Sequence, residues 1–177
     1  DDDLKAEWLN KTIPHVPASA VLEASRTIYS EYARSEVLII LSPHIPEEVY
    51  LAAQDFKHKQ PLARVLSHII QFFPPEKQFT VLQEAYQAAR TIQDNWSKVE
   101  LLNNLAVWLP EEVFEHALTL SDQYERIDLL CKASQHLPQN KYAASMEEIL
   151  MLIRSCPDDE ERIGKLCLVR YLPGELQ

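Results

Sequence analysis

HIPEEVY, residues His44 to Tyr50, has a near copy in WLPEEVF, residues Trp108 to Phe114. At that offset of 64 the match runs backwards without a gap: ASRTIYSEYARSEVLIILSPHIPEEVY, from Ala24, lies over AARTIQDNWSKVELLNNLAVWLPEEVF, from Ala88. Eleven of the 27 positions are identical, where chance gives about two. The chain is an internal repeat.

The repeat has a finer grain. An aliphatic or aromatic residue followed by proline recurs at Pro17, Pro46, Pro74, Pro110, Pro138 and Pro173, with successive gaps of 29, 28, 36, 28 and 35. The long gaps exceed the short ones by about two helical turns, so the extra length fits inside a helix without breaking its apolar face. Each unit reads as two helices. After the proline comes a first helix such as EEVFEHALTL, with Val113, Phe114, Ala117 and Leu118 at helical spacing. Proline at a helix start loses no useful donor, and the glutamates that follow favour the positive end of the dipole. A short polar turn leads into a second helix such as ERIDLLCKASQHL, which the next proline ends. Eleven helices are expected, the first being LKAEWLNKTI without its partner. The units are 1–16 (a half-repeat), 17–45, 46–74, 75–109, 110–137 and 138–173. Such hairpins cannot bury their apolar faces alone, so they stack. The predicted fold is all-α, a right-handed α-solenoid of about five helix pairs after the half-repeat.

Composition agrees with helices and narrows the partners. Of 177 residues only two are glycine and eleven are proline, few glycines for the hairpin turns of a sheet protein. Twenty-seven acidic against 17 basic side chains leave a net charge of −10, which repels phosphate backbones and anionic membranes. Nucleic acid and membrane are therefore not expected as partners. No apolar run reaches the length of a membrane span and no signal peptide is visible. Cys131, Cys156 and Cys167 cannot all pair with one another, which points to a reducing, cytoplasmic compartment. The start DDDLKAEW, without Met, is expected of a fragment of a longer polypeptide.

The pattern x-L-P-E-E, an Ala-rich first helix and then aromatic-x-[RK]-x-[ED]-x-L resembles the degenerate helical-hairpin repeats that follow nucleotide-binding or caspase-like domains in large bacterial signalling proteins, particularly cyanobacterial ones. The resemblance covers nearly the whole chain. It implies a sensor or scaffold region. The tetratricopeptide pattern, with its Leu-Gly in a 34-residue period, is absent, and HEAT-like repeats are nearer in general form.

Candidate chemistry is sparse. His15, His44 and His136 fall two residues before a repeat proline, where other units hold Phe72, Trp108 and Tyr171. Equivalent positions in a stack lie in a row, one helix diameter apart per unit, too far for shared metal ligation. The slot is thus expected to hold a flat, partly buried ring, and no metal or cofactor is predicted. Cys131 and Cys167 read as small core residues, and Cys156 as exposed. Glutamates gather at helix starts, where the dipole accounts for them. No P-loop, nucleophile elbow or zinc-protease motif occurs. No enzyme activity is expected.

One column stands out. Arg34, Arg64, Lys98, Arg126 and Arg162 fall in or close to the same slot near the start of successive second helices, with Tyr32, Trp96 and Tyr124 two residues ahead in three of them. A ladder of cations and rings could hold an acidic or extended partner segment. The same cations could instead pair with Glu36, Glu100, Asp128 or a neighbouring helix and register the stack. The two roles differ in whether the cationic heads face solvent. The leading expectation is a non-catalytic protein or peptide interaction module. The alternatives are an enzyme or enzyme subunit with a site in the groove, requiring a deep pocket of convergent titratable groups, and an RNA-binding helical repeat, which the negative charge opposes.

Overall fold

The structure, a computed structural model, describes residues 1–155. Arg162, Cys156, Cys167, Tyr171 and the second helix expected in 138–173 lie outside the described residues. Those described form ten α-helices and no strand: α1 (Asp2–Thr12), α2 (Ala18–Ser25), α3 (Glu31–Leu41), α4 (Pro46–Ala53), α5 (Lys59–Ile69), α6 (Pro75–Arg90), α7 (Asn95–Leu105), α8 (Pro110–Ala117), α9 (Gln123–Ser134) and α10 (Gln139–Arg154), with a short 3-10 turn at Ile70–Phe72. None is long and apolar enough to cross a membrane.

Local chemistry accounts for the helix starts. Pro46, Pro75 and Pro110 open α4, α6 and α8, each followed by glutamate in the first turn. The proline ring presets φ for the helix and the glutamates face its positive end. The second helices α3 and α9 use side-chain caps: Ser30 accepts from the Ala33 N–H, and Asp122 accepts from the Tyr124 and Glu125 N–H groups. Each such cap contributes about 1 kcal/mol.

The turn inside each hairpin is closed by one buried apolar residue: Ile28, Phe56, Ile92 or Leu120. Each lies 18 residues before the proline that opens the next unit, at Pro46, Pro74, Pro110 and Pro138. That half of the unit therefore has one length. All the variation lies in the first helix, which spans 8 residues in α2, α4 and α8 and 16 in α6 and α10. The two-turn difference leaves the same face of the helix toward the core.

The chain divides into two compact units, Asp1–Leu101 and Leu102–Gln177. In the first, the second helices abut in chain order, α1 on α3 and α3 on α5, while α2 and α4 pack beside α3, and α4 and α6 beside α5. Leu38, Leu41, Leu66 and Ile69 are fully buried there. In the second, α9 packs on both α8 and α10 around Ile127, Leu130 and Ile149. Small residues let the helices approach. Ser25, Ser35, Ser42 and Ser145 are buried, and each hydroxyl donates to a carbonyl three or four residues back in its own helix. Their polarity is thus satisfied without a partner helix.

The ring slot before each proline is partly covered where it holds Phe72 or Trp108, 37% and 40% exposed respectively. In the same slot His15, His44 and His136 are exposed, contrary to the expectation of a partly buried ring. The slot falls just after the α-helical part of the second helix has ended, at the edge of the apolar stripe, so a ring there is covered on one side only.

Candidate functional site

The cation column is largely engaged within the fold. The Arg34 guanidinium lies 4.6 Å from the centre of the Phe56 ring. Arg64 lies 4.6 Å from that of Tyr32 and 3.5 Å from a Glu36 carboxylate oxygen. Arg126 donates its Nε and Nη2 to the Leu120 carbonyl, anchoring the turn between α8 and α9. Lys98 is half-buried. Of the rings, Trp96 is 70% exposed and Tyr32 is 49% exposed beneath Arg64, while Tyr124 is half-buried.

The column is also not one slot. Arg34, Lys98 and Arg126 are each the fourth residue of their helix, but Arg64 is the sixth of α5. Two residues turn a helix by about 200°. Arg64 accordingly faces back to Tyr32 and Glu36 of α3, while Arg34 faces forward to Phe56, and the two cations clamp α3 to the segment that carries α5.

A tie that sequence reading missed reinforces this clamp. Glu31, at the start of α3, accepts from the Lys57 and His58 backbone N–H groups at 2.9 Å each, and its second oxygen lies 2.9 Å from His58 Nδ1. Asp2, at the start of α1, accepts in the same way from the Ser30 N–H at 2.7 Å. Each carboxylate thus serves the approach to the next second helix. Burial works to raise the Glu31 pKa, but the two amides and the His58 ring outweigh it and hold the carboxyl below its ordinary 4.5. The contribution is therefore complete above about pH 4.5 and is lost as the pH falls through the lower folded value. Glu31→Gln, which keeps one acceptor oxygen of two, is expected to cost about 1 kcal/mol at pH 7. The gap to the native chain should narrow as the pH approaches 3, and urea titrations at pH 7, 5 and 3 read it directly.

The first helices are joined by a second set of contacts that recurs at the 64-residue offset. Glu47 of α4 pairs with Lys77 of α6, and Glu111 of α8 pairs with Lys141 of α10 at 2.6 Å. Such exposed pairs contribute at most about 1 kcal/mol, so their use is registration. In the first unit the site continues: the Tyr50 hydroxyl donates to the Glu84 carboxylate at 2.9 Å, the Gln54 amide donates to it at 3.0 Å, and the Lys77 ammonium lies 4.8 Å and 4.6 Å from the centres of the Tyr50 and Phe73 rings. Burial first, and then Glu84, push the Tyr50 hydroxyl up, so it remains a donor at neutral pH.

In the second unit the corresponding residues are Phe114, Leu118, Leu137 and Glu148. The glutamate is kept, and both neutral donors that satisfy its twin are replaced by apolar side chains. Here an open cleft of about 470 Å³ runs between α8 and α10, floored by Phe114, Leu118 and Leu137 and edged by Glu111, Glu115 and Glu148. A signal for this site was present in the sequence, since Glu47 and Lys77 reappear as Glu111 and Lys141 when the 64-residue alignment is carried forward.

Among the described residues no group of three His, Cys, Asp or Glu side chains is placed to hold a metal ion. Cys131 is buried in α9. Compared with protein-family models, curated proteins and solved structures, the chain matches none.

Proposed function

We propose that the chain is a non-catalytic protein or peptide interaction module, a stretch of right-handed α-solenoid serving as scaffold or sensor region of a larger cytoplasmic signalling protein. The reading is carried by the α8–α10 cleft: a groove open to solvent, with an apolar floor, between two helices tied by the Glu111–Lys141 salt bridge. Such a groove suits a side chain or segment of another protein better than a small substrate that must be enclosed. The signalling context follows from the resemblance of the repeat pattern, and the surplus of negative charge favours a basic or neutral partner. Trp96, with most of its ring in solvent, adds stacking area of the kind interfaces use. Other domains of the same polypeptide are candidate partners.

Affinity capture on the immobilised chain, with elution by soluble chain, tests this. A protein or peptide that is released by competition and then binds saturably in isothermal titration is the expected result. Retention of small metabolites alone, with no protein, overturns the reading.

A further inference from the structure

We infer that the cleft between α8 and α10 is a receptor for an arginine side chain presented by a partner protein. The inference rests on the interaction reading above and gives it a site and a ligand chemistry.

The first unit holds the twin of this site. There a glutamate on the long first helix, Glu84, has its carboxylate filled from within by the Tyr50 hydroxyl and the Gln54 amide. At the same offset the second unit keeps the acceptor, Glu148, but replaces Tyr50 by Phe114 and Gln54 by Leu118. Glu148 is half-buried on α10, and among the described residues it has no hydrogen-bond or ion-pair partner. The lysine at this site, Lys141, is held by Glu111 at 2.6 Å. The cleft therefore presents an unfilled carboxylate over an apolar, aromatic floor.

A ligand that complements it needs a cation with more than one donor, a flat face for Phe114 and an aliphatic stem for Leu118 and Leu137. Guanidinium meets all three requirements: it forks onto a carboxylate, it stacks on a ring, and its methylene stem covers apolar surface. Lysine brings the charge without the fork or the plane. Glu115 and Glu148 at the edge of the cleft and the net charge of −10 favour a basic segment around that arginine.

The test uses the whole chain and a panel of capped hexapeptides with one central arginine, each paired with its citrulline and lysine counterparts, followed by amide chemical shifts. The expected result is a set of arginine-dependent shifts centred on Phe114, Leu118 and Glu148. The citrulline and lysine peptides should bind about tenfold more weakly or worse. Glu148→Gln should weaken the arginine peptide by about tenfold. The double variant Phe114→Tyr with Leu118→Gln, which installs the donors of the first unit, should abolish the shifts. Its helix content is checked by circular dichroism, and both changes are at half-buried or exposed positions that the first unit already tolerates. Binding that is indifferent to Glu148→Gln and to the double variant overturns the inference, as does equal binding of lysine and arginine peptides or self-association of the chain through the cleft. If the captured partner still binds the double variant, the arginine receptor falls while the interaction reading stands. If the native chain captures no protein at all, the broader reading falls with it.

Discussion

Leu38→Ala is expected to destabilise the chain by about 2–5 kcal/mol, lowering Tm by roughly 10 °C or more, because it opens a cavity in the packing around α3. Leu38 is fully buried on α3, and α3 packs on α1, α2, α4 and α5. With neighbours on so many sides, the site cannot collapse by moving one element, so little of the lost packing is regained. The control is Trp96→Ala. It deletes more atoms, but from a ring that is 70% exposed, and it should change stability by about 0.5 kcal/mol or less. Paired urea titrations settle the contrast. A small effect at Leu38 would show that the stacked hairpins do not share the interior described here.

A second large effect is expected where the two units pack the same interface with exchanged volumes. In the first unit α5 packs on α6, with Ile69 and Ile70 at the end of α5 and Ala85 and Ala89 on α6, all fully buried. At the 64-residue offset, α9 and α10 carry Ala133, Ser134, Ile149 and Ile153, again all fully buried. Bulk has moved from the second helix to the first. Ile69→Ala alone should cost about 2–5 kcal/mol, and Ala85→Ile alone about 1–3 kcal/mol through overpacking. Together they reproduce the arrangement of the second unit, and their combined cost should fall short of the sum by at least about 1 kcal/mol. Strict additivity in the double-mutant cycle would mean that the two positions share no cavity, and the exchange of bulk would then be coincidental.

How far the sequence could be read depended on the range of each interaction. Pro46 and Pro110 open helices as their flanking glutamates imply, and Ser30 and Asp122 cap as small polar residues do, because these effects act within four residues. The rings at Phe72 and Trp108 are partly covered, as their slot implies, whereas His15, His44 and His136 in the same slot are exposed. Arg34 stands 12 residues before its proline and Arg64 10 before its own, an offset visible in the spacing, but that their partners lie on opposite sides only the packing shows. Glu148 could not be singled out from the other acidic residues, since what distinguishes it is the loss of the donors its twin receives from a helix 30 residues away.

The amino-acid sequence by itself determined that the described chain is helical, where its helices begin, and that two turns of extra length recur in the third and fifth hairpins. Apolar spacing, prolines and caps are local and act before any long-range contact forms. Only the tertiary structure decided which cations are spent on the fold, which carboxylates support the next hairpin, and which of the two equivalent glutamates, Glu84 and Glu148, is satisfied from within. Those outcomes depend on side chains some 26 to 34 residues apart meeting at about 3 Å, and chain separation alone does not encode the direction in which a helix, once packed, turns each residue.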